Sequence, residues 1–165
     1  FLLENLRFWP GEIKNDADLA KVKSPEVYFG ASRNSTLGKG ISGRVGFENF
    51  SAPQEILPNT LYLVGDWDIN GEFAEARSTG ARVIFRYSAR DVYFVASARE
   101  PVSVRVLQDG KLVTEASGED VHEGVVKVGE ERLYKLIQDK DGHGEHTLEL
   151  IIDGPGVRAF TLTFG

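Results

Sequence analysis

From Glu26 onward the chain alternates apolar and polar residues in short runs, and a turn signal closes almost every run. Arg82–Tyr87 sets Val83, Phe85 and Tyr87 on one face and Arg82, Ile84 and Arg86 on the other, the period of a half-buried strand. Val92–Ser97 follows after Ser88-Ala89-Arg90-Asp91. As a hairpin, the two runs would pair Tyr87 with Val92, Phe85 with Phe94 and Val83 with Ala96. Val102, Val104 and Val106 form the next strand, ended by Asp109-Gly110, a pair suited to a type I′ turn. Lys111–Ala116, Val121–Val128, Leu133–Gln138, His146–Ile152 and Val157–Phe164 complete the series. Strand-like runs about every 8–12 residues, separated by such turns, predict an all-β fold. Their number points to an antiparallel two-sheet β-sandwich of jelly-roll type.

The stretch Leu57–Gly71 organises the remainder. It holds an apolar strand (Leu61, Tyr62, Leu63, Val64), a Gly-Asp step, Trp67 and an Asn-Gly turn. Trp67 belongs at the centre of a core with its single donor satisfied. Residues 1–24 differ in pattern: Leu2, Leu6 and Trp9 share one helical stripe, and Pro10-Gly11 stops it. A second short helix is expected from Asn15 or Asp16 through Val22, closed by Ser24-Pro25. This short helical or irregular segment reads as a connector, with Trp9 docked on the body. The sandwich is expected over 25–165.

Composition narrows the functions. A net charge of −6 argues against nucleic acid, whose phosphates require a basic face. No apolar run approaches the roughly 18 residues of a membrane span. The chain has no cysteine, which removes disulfides, thiolate nucleophiles and Cys-based metal sites together. It also has no methionine and opens on Phe-Leu-Leu, so it is expected to be a piece of a longer protein.

Several motifs compete with plainer readings. Gly38-Lys39-Gly40-Ile41-Ser42-Gly43 spells GxGxxG, but no helical period leaves it, so a dinucleotide site is not expected. Asp139, Asp141 and Glu145 place oxygens at alternate positions, like the first half of a calcium loop. The distal bidentate glutamate is missing, so a charged hairpin turn is the plainer reading, with no cofactor beyond a structural calcium ion. His143 and His146 lie three apart without a helix to converge them. Asp66, Asp68, Glu72 and Glu75 cluster around Trp67, and paired carboxylates are what glycoside hydrolysis uses.

From Glu26 to Gly165 the sequence resembles the C-terminal domain of DipZ-type thiol–disulfide interchange proteins. The similar segments include Pro25–Gly30, Leu57-Pro58-Asn59, Val64–Trp67, Tyr87–Val92, Pro101–Val106, Arg132–Ile137 and Gly156–Gly165. The resemblance implies a module like a carbohydrate-binding module, placed outside the cytoplasm behind a thioredoxin-like domain, of which residues 1–24 would be the tail or linker. The family's Cys-x-x-Cys chemistry is absent here, because disulfide exchange needs a thiolate. A sugar site needs aromatic faces beside hydrogen-bonding groups. Tyr93 between Arg82 and Arg86, joined by Arg132 and Tyr134, is the candidate ligand face, with guanidinium groups suited to carboxylate-bearing sugars. The expected function is a non-catalytic binding module whose partners are the redox domain and a glycan or envelope protein. A structural or protein-interaction domain without a sugar ligand is the alternative, and a glycoside-active enzyme the third reading.

Overall fold

The computed structural model describes residues 23–165, and the alternation becomes thirteen strands there, with no helix. They are β1 (Val27–Tyr28), β2 (Gly46–Phe50), β3 (Leu61–Ile69), β4 (Ala74–Ala76), β5 (Ala81–Ala89), β6 (Asp91–Ser97) and β7 (Val102–Gln108). There follow β8 (Lys111–Leu112), β9 (Val121–His122), β10 (Val125–Val128), β11 (Arg132–Gln138), β12 (Gly144–Ile152) and β13 (Arg158–Phe164). Every ladder is antiparallel, in the order β9-β10-β7-β12-β5-β3-β4-β13-β6-β11, with β8 on β7, β2 on β3 and β1 on β13. The expected helical turns and Trp9 lie outside the described residues.

The ladder folds into two layers because β3 belongs to both. Its first half, Leu61–Val64, pairs with β5, and its second half, Gly65–Ile69, pairs with β2 and β4. The change falls at Gly65, whose φ of 95° is open to glycine and strained for other residues. A side chain there would also press on the Ala81 Cα at 3.2 Å. Trp67 is fully buried two residues on, and its Nε1–H donates to the Val64 carbonyl at 3.0 Å. The Val64 carbonyl at the corner is thereby satisfied.

The inner faces are those the alternation marked. Val83, Phe85 and Tyr87 of β5 and Val92, Phe94 and Ala96 of β6 are all buried. They meet across the layers, not side by side, so the predicted hairpin is corrected. Tyr87 pairs with His146 and Phe85 with Leu148, whereas Val92 pairs with Phe164 and Ile137. Only Arg90 separates β5 from β6, and the chain there crosses from one layer to the other. Gly165 ties this crossing: its carbonyl accepts the N–H groups of Arg90 and Asp91, and its own N–H donates to Asp91. Phe164 of β13 stacks on Phe85 and Tyr87 of the facing layer at 5.3 and 5.7 Å, which locks the layers together.

The free edge of β11 is covered by 116–120. Gln138 donates to the Ala116 carbonyl and Gly118 to that of Leu136. Gly118 lies so close that a Cβ would come within 2.3 Å of the Lys135 carbonyl oxygen. Ser24 is buried and fastened to β5 by a Ser24 N–H to Ser88 carbonyl bond of 2.8 Å.

Replacing Gly65 by alanine should lower unfolding stability by about 2–3 kcal/mol, through left-handed strain plus the contact with Ala81. Gly80 also has positive φ, 85°, but open space around it. Gly80→Ala should therefore cost only about 1 kcal/mol in the same urea titration.

Candidate functional site

The predicted ligand face is not gathered by the fold. Arg82 and Arg86 lie on the outer side of β5, and Tyr93 lies on the outer side of β6 in the opposite layer. The physical reason is the crossing at Arg90: strands adjacent in sequence here are not neighbours in a sheet. Arg82 pairs with Glu149 at 2.7 Å and Arg86 with Glu145 at 3.4 Å, across β5 and β12. Arg132 bonds Asp120 at 2.9 Å and rests over the Tyr134 ring at 4.0 Å. Tyr134 itself is buried, and its hydroxyl donates to the Glu130 carbonyl at 2.7 Å, clamping the turn before β11.

Asp120 also receives the Lys135 N–H at 2.7 Å. The Arg132 guanidinium, then this N–H, outweigh partial burial and hold its carboxyl below the usual range; Arg132 is raised in return. This pair fastens the covering segment 116–120 to β11.

The other candidates are dispersed as well. Asp139 Oδ1 accepts the Asp141 N–H at 3.0 Å, closing a turn at Gly142, while Glu145 faces Arg86. Among the described residues no group of three or more histidine or acidic side chains is arranged to hold a metal ion. The glycine loop at 38–43 leads into β2, not a helix, and folds around buried Asn34, which accepts the Gly43 N–H at 2.8 Å. Asp66 is taken by Asn49, Asp68 by Arg77 and Glu75 by Arg158, each on an outward position.

What the fold does assemble is a cleft at one mouth of the sandwich, about 380 Å³ in volume. Three strand ends of inward parity meet there. His146 follows the parity of Leu148, Leu150 and Ile152, Gln108 that of Val104 and Val106, and Tyr87 that of Val83 and Phe85. Gln108 Nε2 donates to the buried Tyr87 hydroxyl at 2.9 Å, and burial pushes that hydroxyl's pKa well above its ordinary value. Thr114, Lys111, Asp139 and Asp141 complete the walls. A polar residue at inward parity on a strand end was the mark, legible in the sequence, of this mouth.

His146 stands between two carboxylates. Its Nδ1 lies 2.6 Å from Asp109 Oδ2 and its Nε2 3.5 Å from Asp139 Oδ2. Asp109 is the first of the two central residues of the expected type I′ turn, with φ of 54° there and 85° at Gly110. Burial alone would raise its pKa, but the Thr147 N–H on Oδ1 and the His146 ring prevail and lower it.

A lowered native pKa stabilises the fold above the unfolded carboxylate range and ceases to do so as pH falls through the native value. The urea midpoint of Asp109→Asn should therefore lie below wild type near pH 6. The gap should close as the pH drops below about 4, the ordinary carboxylate range.

The comparisons agree with this architecture. The family model described as "Thioredoxin like C-terminal domain" matches residues 24–165. Protein DipZ from Mycobacterium bovis and from Mycobacterium tuberculosis are each 30% identical over 91 residues, which is 55% of this chain and 13% of theirs. The chain thus corresponds to a small part of these relatives. Among solved structures, a family two carbohydrate esterase from Cellvibrio japonicus superposes with a TM-score of 0.52 at 14% identity, over 73% of this chain and 33% of the esterase. That likeness is one of fold alone. With most of its length matched and its thirteen strands wound as a two-layer sandwich, the chain belongs to the thioredoxin-like C-terminal domain family, the family of the C-terminal module of DipZ-type proteins.

Proposed function

We propose that this chain is a non-catalytic accessory module of an extracytoplasmic thiol–disulfide interchange protein, and that its mouth cleft binds a hydroxyl-rich, uncharged glycan. The observation that carries this reading is the make-up of the cleft. Gln108, Thr114, Glu115, Asp139, Asp141 and His146, with Lys111 and Lys140, line a concave space of about 380 Å³ that mixes acceptors with donors. A ligand bearing many hydroxyls, each both donor and acceptor, satisfies such walls. A carboxylate-bearing sugar fits less well, because the cleft carboxylates Glu115, Asp139 and Asp141 outnumber Lys111 and Lys140, and Arg82, Arg86 and Arg132 are matched to carboxylates of their own chain elsewhere.

Redox chemistry would come from elsewhere in the longer protein, since a chain without cysteine supplies no thiolate. A segment arriving from an upstream thioredoxin-like domain would join the body at Ser24. Ser24 bonds Ser88, and Ser88 Oγ lies 2.7 Å from His143 Nε2 in the loop that walls the cleft. The binding site and the redox neighbour would thus share one end of the sandwich.

A second reading, docking of a protein surface, rests on the outer face of the layer that holds β6. Tyr28, Thr161, Val95 and Leu133 line up across four strands there, with the Arg33 guanidinium 4.7 Å over Tyr28. Aromatic and arginine side chains are enriched in such interfaces.

Calorimetric titration with neutral oligosaccharides from cell envelopes separates the two. Binding to the cleft should weaken about tenfold in Gln108→Ala, the loss of one hydrogen bond, and in Asp139→Asn, the loss of the charge on one. It should be unchanged in the double variant Arg86→Ala with Tyr93→Ala, and no glycoside in the panel should be hydrolysed. No binding by any oligosaccharide would remove the glycan reading; binding sensitive to the double variant alone would move the site to the outer faces.

A further inference from the structure

The contact between His146 and Asp139 joins the two layers. His146 stands on β12 and Asp109 on the turn after β7, both in one layer, whereas Asp139 follows β11 of the other. Asp109 is an acceptor on both oxygens, since Oδ1 takes the Thr147 N–H and Oδ2 faces Nδ1 at 2.6 Å. The shorter contact therefore keeps its proton on Nδ1. Nε2 carries a second proton only in the imidazolium form. Without that proton, a ring lone pair confronts the Asp139 carboxylate at 3.5 Å.

We infer that His146 is a proton-dependent latch across the mouth of the sandwich: protonated, it ties the loop at 139–143 to the opposite layer; neutral, it releases that loop and frees Asp139 for a ligand. The inference rests on the cleft reading above and adds its regulation. Gly144 leaves room for the ring, because a Cβ there would lie 2.9 Å from Nε2. The charged groups at the imidazole and around the cleft it lines are unequal in sign. Asp109, Asp139, Asp141 and Glu115 are carboxylates, against the ammonium groups of Lys111 and Lys140, and Tyr87 stays neutral in this range. The latch therefore closes when the ring is protonated and opens when it is neutral, and histidine is the side-chain type whose charge changes between about pH 5 and pH 8. Ligand affinity should rise over the same interval as pH increases.

Amide hydrogen exchange on the full chain, without ligand, tests the latch. Protection factors corrected for intrinsic exchange should be about fivefold higher for 139–143 at pH 5.5 than at pH 8, the scale of one partly exposed ion pair. His146→Gln and Asp139→Asn should each abolish this pH dependence. The second is close to isosteric and keeps the test open should the first not fold. Equal protection at both pH values in the wild type, or pH dependence that survives in Asp139→Asn, would overturn the latch. Because no sugar enters the measurement, a working latch with no glycan binding would refute only the ligand reading, and pH-independent binding with flat protection only the latch.

Discussion

One hydrogen bond and one glycine at the middle of β3 carry the architecture. A strand that serves two sheets must turn out of one plane into another, and the turn interrupts the backbone pairing at a half-buried place. The Trp67 indole N–H meets the Val64 carbonyl at that place, and Gly65 supplies the backbone angle that a side chain would strain. Ser78 then takes the Asp66 N–H through its Oγ, so the segment beyond the corner is also satisfied. A buried donor without an acceptor costs about 1–3 kcal/mol, so these pairings weigh against the modest net stability of any single domain.

A second crossing, at Arg90, has the opposite effect on chemistry. It sends two strands that adjoin in sequence into different layers, so their outer faces point away from each other. Arg82 and Arg86 answer glutamates of β12, and Tyr93 lies beside Lys135 on the other side of the molecule. The outer charges form cross-strand ladders that hold the sheet surface in water. Chemistry requiring convergence is left to the ends of the strands, where loops from both layers come together.

The mouth beside His146 shows how such an end is built. Inward parity carries Tyr87, Gln108 and His146 past the last apolar layer, and the polar groups meet one another there. The Asp109-Gly110 turn then brings a carboxylate back onto the histidine. The same device that reverses the chain thus places a charged group in the cleft, where partial desolvation strengthens its interactions.

Much of this was legible in order along the chain. Alternation at β5, β6, β7, β12 and β13, the Asp-Gly turn and the burial of Trp67 follow from local rules: side chains alternate across a strand, and φ above zero selects glycine, aspartate or asparagine. Those rules act between residues a few positions apart. They do not say whether an apolar face meets its neighbour in the same sheet or across the core, since Val83, Phe85 and Tyr87 are equally buried either way. That choice depends on contacts far apart in sequence, such as Gly165 with Arg90 and Phe164 with Phe85. The amino-acid pattern by itself determined an antiparallel sandwich with a tryptophan-centred core. Tertiary packing alone decided that the arginines and Tyr93 stand on opposite sides, and that Asp109, His146 and Asp139 meet, because only the closed fold brings those distant segments within bonding reach.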